Sequence, residues 1–318
     1  MELHGGFSTV IDVVVYVSSV ANPRKHPRKI QCLESFAQGV KALGDTVHVE
    51  WDYCYTPSRL AVMLGWATTN TGGRNIMLRK QIIAEQRRQG FQTMCVDASC
   101  FKYLDDTGSY LRYSLDGPFY DKAQYANRGA SALKWQQISS QLGIVLKPTQ
   151  QRNQGHVLIC MQRDGGFAMK TLDPIQWLRE KINHIRAYTQ RPIVVRPHPG
   201  AWKHADFGEF QHPHFQKRLR VTVIDPTRTT LLQDLAHAHS AVFFNSSASV
   251  AAVCEGIPIF ADDESCVSWA MSNHDISKIE SAQVFDRTQW IHELAAAHWS
   301  DQEGQRGDIY RHFRPYLK

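Results

Sequence analysis

Residues 241–256 place a short apolar run, Ala241 to Phe244, directly before a hydroxyl- and amide-rich stretch: Asn245, Ser246, Ser247, Ala248 and Ser249. A helical run to Glu255 and then Gly256 follow. A strand that feeds a helix leaves backbone N–H groups unsatisfied at the junction. These, with the positive end of the helix dipole, attract anions. Small hydroxyl and amide side chains admit an anion closely and add donors of their own. The chemistry that suits these residue types is the holding of a phosphate or diphosphate. Ordinary helix capping by Asn or Ser is the competing reading.

Other polar loops follow apolar, strand-like runs. Gln162 to Phe167 contains Arg163, which can grip a phosphate bidentately, and Gly165 and Gly166, which permit close backbone approach. In Arg196-Pro197-His198-Pro199-Gly200 two prolines stiffen the loop, so that Arg196 and His198 are expected to reach a phosphate or a departing diphosphate. Glu255, closing the helical run, is a candidate acceptor for ribose hydroxyls. Asp262, Asp263 and Glu264 could hold a divalent ion beside a diphosphate, although the sequence requires no metal. In the first half a carboxylate at a strand end, Asp97, is the candidate general base, with Asp116 as the reserve. Arg24, Lys25, Arg28 and Lys29 form a basic loop suited to phosphate contacts. Trp66, Arg74, Tyr103 and Tyr110 could stack on or flank a base.

The elements that must position these groups alternate. Strands are expected at 10–19, 46–51, 60–65, 92–97, 157–161, 192–196, 221–224, 241–244 and 257–261, and helices at 30–43, 76–89, 131–142, 174–188, 229–238, 290–299 and 309–317. Residues 98–130 read as loop. Alternation of this kind means parallel sheets, and the pattern break near 143–155 divides them. The fold class expected is α/β, two doubly wound Rossmann-like domains facing across a cleft, with ligands beyond the carboxyl ends of the strands.

The 318 residues, 43% apolar and 21% charged, suit two soluble globular domains. No apolar run approaches the roughly 20 residues that span a bilayer. Glu2, His4 and Asp12 spoil a signal-peptide pattern, so neither membrane nor export is expected. Seven cysteines, odd in number and without a Cys-x-x-Cys pair, point to a reducing, cytoplasmic setting. Residues 1–150 carry 17 Lys and Arg against 12 Asp and Glu, and the rest carry 19 against 18. The net charge of +6 therefore lies mostly in the first half, which suits a polyanionic partner there.

Five runs in the second half, Leu158 to Gly166, Arg191 to Gly200, Asn245 to Ser247, Glu255 to Pro258 and Asp286 to Trp290, together with Gly65-Trp66 and Leu78-Arg79, resemble phage-encoded glycosyltransferase-like proteins of the GT-B architecture. Such proteins are similar in plan to the phage DNA glucosyltransferases. The resemblance implies inverting transfer from UDP-glucose or another UDP-sugar to a 5-hydroxymethylpyrimidine, most readily 5-hydroxymethylcytosine, in double-stranded DNA within an infected bacterial host. It further implies that residues 1–150 bind DNA through Arg24, Lys25, Arg28, Lys29, Trp66 and Arg74. Residues 151–300 would bind the nucleotide-sugar, through Arg163, Gly165, Gly166, Arg196, His198, Asn245, Ser246, Ser247 and Glu255. Residues 301–318 would cross back as a terminal helix. A target base in duplex DNA would have to flip out. Two alternatives stay open: a glycosyltransferase or nucleotide-sugar epimerase of surface polysaccharide synthesis, and a non-catalytic DNA-binding protein on the same scaffold.

Overall fold

A computed structural model describes residues 11–67, 73–101, 108–119, 121–149, 154–162, 167–169, 172–200 and 207–318. Its strands are β1 (Ile11–Tyr16), β2 (Val47–Glu50), β3 (Ser58–Leu64), β4 (Gln92–Ala98), β5 (Leu111–Leu115), β6 (His156–Cys160), β7 (Ile193–Arg196), β8 (Val221–Val223), β9 (Ala238–Phe243), β10 (Ile259–Ala261), β11 (Ser272–Asn273) and β12 (His298–Trp299). They form two six-stranded sheets, ordered β12-β5-β4-β3-β1-β2 and β11-β10-β9-β6-β7-β8. The second sheet is parallel throughout. The first is parallel from β4 to β2 and carries two antiparallel strands at its other edge.

The helices that cover the first sheet are α1 (Pro27–Ala42) and α2 (Arg74–Gln89), followed by α3 (Leu133–Leu142). The second series comprises α4 (Pro174–Arg186), α5 (Gly208–Gln211), α6 (Pro213–Leu219), α7 (Leu231–Leu235) and α8 (Ser249–Cys254). The chain ends with α9 (Thr288–Ala296), α10 (Asp301–Gln305) and α11 (Asp308–Phe313). Local chemistry sets their ends. Pro27 and Pro174 occupy first-turn positions, where a missing N–H costs nothing. The Asp173 carboxylate accepts the N–H groups of Ile175 and Gln176. Gly90 ends α2 in the left-handed conformation that a side chain resists. Val13 to Tyr16 and Ala241 to Phe243 are buried, as central parallel strands must be when helices cover both faces.

Several boundaries differ from the sequence expectation. β1 stops at Tyr16, and residues 17–19 form a tight 3-10 turn. Pro27 starts α1 three residues early, so Arg28 and Lys29 belong to its first turn rather than to a basic loop. The stretch 98–130 contains β5, whose Leu-Arg-Tyr-Ser-Leu alternation is a strand pattern disguised by a half-buried arginine. The expected 290–299 helix breaks after Ala296, and His298–Trp299 pairs antiparallel with β5. Only Leu231–Leu235 of the expected 229–238 helix is helical, because Ala238 already belongs to β9. Among the described residues no helix is long and apolar enough to cross a membrane.

The C-terminal segment is joined to the first sheet. Ile309, Tyr310 and Phe313 share an apolar cluster with Val13, Leu33, Phe36 and Val62. Tyr310 Oη donates to Asp45 Oδ2 at 2.6 Å, and Arg314 pairs with the same carboxylate at 2.8 Å. α1 and α10 meet at glycines: a Cβ on Gly39 would run into the Gly304 carbonyl and lie 2.7 Å from Gly307 Cα. Gly39→Ala is therefore expected to force these helices apart and cost about 1–3 kcal/mol, read from urea unfolding.

His298 lies fully buried where β12 joins the sheet. Its Nε2 accepts the Cys100 N–H at 3.0 Å, which leaves the proton on Nδ1, 2.7 Å from the Leu294 carbonyl oxygen that accepts it. Burial holds its pKa down to about 3. The unfolded imidazole protonates near pH 6.5, so the unfolded chain binds the extra proton first. Stability is full above pH 6.5 and falls as pH drops toward 3. By pH 4 this one group should cost about 3 kcal/mol, a slope that His298→Gln removes in urea titrations at stepped pH.

Candidate functional site

The order of the second sheet reverses between β6 and β9: β7 and β8 lie on one side, β10 and β11 on the other. A crevice opens beyond the carboxyl ends of strands at such a reversal. Residues leaving β6, β7 and β9 converge on it, namely Gln162, His198 and Asn245–Ser247.

Asn245 is the anchor. Its N–H donates to Gln162 Oε1 at 3.3 Å, and its Nδ2 donates to the Ala168 carbonyl at 2.9 Å and to Ser265 Oγ at 2.7 Å. The residue is buried, and among the described residues its Oδ1 has no hydrogen-bond partner. Ser246 and Ser247 are half-buried. Their carbonyls accept the N–H groups of Ser249 and Val250 at 3.0 and 3.1 Å, so the chain enters α8 through a tight turn. Ser246 Oγ accepts the Ala248 N–H at 3.3 Å. Among the described residues, the backbone N–H groups of Ser246 and Ser247 have no hydrogen-bond partner. α8 is only six residues long, so these two amides, rather than a long macrodipole, are the anion-attracting feature. Ser249 faces inward and donates to Ser268 Oγ at 2.9 Å.

His198 stands on the loop after β7, half-buried, and its Nδ1 accepts the Gly200 N–H at 3.0 Å. An accepting Nδ1 is unprotonated, so the neutral ring carries its proton on Nε2.

Arg196 departs from its expected role. The side chain is buried. Nη1 bonds Thr229 Oγ1 and the Asp234 carboxylate, and Nη2 donates to the carbonyls of Pro226 and Thr229. Its charge is answered inside the sheet's own loops, which stiffens the base from which His198 projects. Glu255 closes α8 at the opposite end from Ser246 and Ser247, as expected, and pairs with Lys147 at 2.6 Å. Asp262 is engaged by Trp177 Nε1 and Lys181 Nζ, each at 2.7 Å. Among the described residues no group of three or more His, Cys, Asp or Glu is placed to hold a metal. Arg163, Gly165 and Gly166 lie outside the described residues.

On the first sheet Asp97 and Asp116 are at opposite ends of β4. Asp97 lies at the carboxyl end, where Oδ2 accepts Arg112 Nη2 at 2.8 Å and Oδ1 accepts the Ala98 N–H at 2.8 Å. Asp116, at φ +61°, exchanges bonds with Thr93 near the start of that strand, away from the strand ends where ligands bind. Arg24, Lys25 and Arg74 are exposed beyond β1 and β3. Arg28 is drawn to Asp301 at 3.3 Å and to the Gly108 carbonyl, and Lys29 is half-buried. Trp66 is half-buried and packs against the cluster of Val14, Tyr16 and Leu78. Tyr110 is buried and donates to Gln141 Oε1, so it is a core residue rather than a stacking platform. Tyr103 lies outside the described residues. Arg79, Arg112 and Gln162 went unread as site residues. Single polar residues next to apolar runs give no signal until the strands are aligned.

The sequence matches no family model and no curated protein sequence. Among solved structures, the chain is similar to the β-Kdo 2,4-transferase of Thermosulfurimonas dismutans KpsC, at 13% identity, with a TM-score of 0.55, over 90% of this chain and 89% of that one. It is likewise similar to the β-Kdo 2,7-transferase of the same KpsC, at 11% identity, with a TM-score of 0.51, over 95% and 99% of the two chains. These likenesses establish the fold: two parallel-dominated α/β sheets in the GT-B arrangement.

Breaking the Arg196–Asp234 pair should be costly. Arg196→Leu leaves Asp234 buried without its countercharge and is expected to lose about 3–5 kcal/mol in urea unfolding.

Proposed function

We propose that this chain is a glycosyltransferase that takes a sugar from a nucleotide donor, such as a UDP-sugar, and passes it to a hydroxyl acceptor. The observation that carries the reading is the pair of Ser246 and Ser247 amides, unpartnered among the described residues, at the order reversal of an all-parallel sheet, with His198 on the end of β7, one strand beyond β6. In this reading the donor's diphosphate lies on those two amides and the Nε2–H of His198. They are fixed before the reaction, so they stabilise the charge that grows on the leaving diphosphate without reorganising. Arg196 holds the loops rather than the phosphate.

Asp97 is the proposed base. Its two bonds leave lone pairs on a half-exposed carboxylate, within a strand end suited to ligands. The acceptor oxygen forms its bond to the anomeric carbon as the bond to the diphosphate oxygen breaks. The hydroxyl proton passes to Asp97, and the configuration inverts.

For the acceptor, the likeness in fold to two Kdo transferases favours a saccharide. A second reading, a hydroxymethylated pyrimidine in DNA, is favoured by exposed Arg24, Lys25 and Arg74. Three phosphate contacts would give a log–log salt slope of about −3. The chain is incubated with a panel of nucleotide-sugars and either oligosaccharide or hydroxymethylated DNA, and products are read by mass spectrometry. New glycan mass supports the saccharide reading, and glycosylated nucleoside supports the DNA reading. Transfer to neither, with no uridine diphosphate density against Ser246 and Ser247 in a soaked crystal, overturns the proposal. Asp97→Asn should lower kcat about 100-fold or more while donor affinity holds. His198→Ala should lower both.

A further inference from the structure

The first sheet has its own order reversal, between β1 and β3. Arg79, on α2, reaches exactly these two strand ends. Its Nε and Nη2 donate to the Ser19 carbonyl at 3.1 and 2.6 Å, and its Nη1 donates to the Trp66 carbonyl at 3.3 Å. A guanidinium has five N–H donors, so two are left over. Among the described residues no carboxylate lies within ion-pair distance of it. The side chain is half-buried, and loss of water lowers its pKa, with Cys95 and Asp97 opposing. A cation withdrawn from water without a countercharge is costly, and two neutral carbonyls do not answer it.

The surroundings are shaped for this guanidinium. Gly65 has φ +77°, and a Cβ there would stand 2.9 Å from Nη1, so the charge lies against bare backbone. The 17–19 turn, which packs on α2, supplies a second unsatisfied group: Ser18 Oγ is buried and without a hydrogen-bond partner among the described residues. The Gly65 N–H donates to the Val96 carbonyl at 2.7 Å, which places Arg79 beside the strand end that carries Asp97.

We propose that Arg79, with the turn containing Ser18, is an anion seat that receives a carboxylate or phosphate group of the acceptor and so presents the acceptor's hydroxyl to Asp97. The seat itself follows from the first sheet alone; that its occupant is an acceptor rests on the transferase reading. A neutral acceptor would leave the guanidinium uncompensated, so the seat selects anionic ones.

The test uses the full chain saturated with uridine diphosphate and titrated calorimetrically with inorganic phosphate or, separately, acetate. Binding of either ion is expected, and which one binds identifies the group. Arg79→Lys, which keeps the charge but loses the fork, should weaken it about tenfold. Ser18→Ala, with an unchanged unfolding midpoint, should weaken it about threefold. If neither ion binds, or both variants bind as the wild type does, the seat is overturned. If uridine diphosphate fails to bind while anion binding still depends on Arg79, the seat stands and the donor reading falls.

Discussion

The exit of β9 from its sheet is the constraint on which the donor reading depends. Phe243 belongs to the apolar cluster on one face of the second sheet, and Phe244 to the cluster on the other. Two buried aromatics on opposite faces fix where the strand stops. The next amides then emerge where β6 no longer offers a carbonyl. α8 cannot swing to satisfy them, because all six of its residues are buried. Asn245, held by Gln162, Ala168 and Ser265, fixes the turn from the side. The N–H groups left without partners among the described residues are thus a product of packing, which is the condition for preorganised electrostatics.

Cations divide between building the fold and meeting ligands according to what answers their charge. Arg196, buried, and Arg112, half-buried, both stand at strand ends, and both have carboxylate partners, Asp234 and Asp97. Arg79, on α2, reaches equivalent strand ends and, among the described residues, meets carbonyls alone. The two sheets therefore follow one logic. Each reverses its strand order and, among the described residues, each leaves donors unanswered at the reversal: two backbone amides in the second sheet, and in the first a guanidinium with carbonyls but no carboxylate.

The return of the chain ties the sheets' supports together. Trp290 belongs to the cluster of the second sheet, while β12, α10 and α11 pack on the first. Lys134 of α3 pairs with Glu303 of α10 and lies 4.6 Å over the Trp299 ring. A buried ion pair of this kind contributes more to placing the segment than to net stability, since desolvation offsets much of its attraction.

Apolar runs and helix stops were legible because they are local. Val13 to Tyr16 is an apolar, largely β-branched run that suits a buried strand, and Gly90 stands where the helical pattern of 76–89 stops. The serine-rich start of α8 and the His198 loop were legible for the same reason: strand, turn and polar residues are contiguous. The sequence could not show that β5 and β12 close one edge of the first sheet, because that pairing joins residues nearly 190 positions apart. Nor could it separate Arg196 from Arg79. Each is an arginine near the end of an apolar run, and the difference is whether a carboxylate from elsewhere in the chain arrives beside it. The amino-acid order by itself determined the alternation of elements and the kinds of donor available. Tertiary structure alone decided which donors remain unanswered, because satisfaction of a polar group depends on contacts between segments that the chain brings together only when folded.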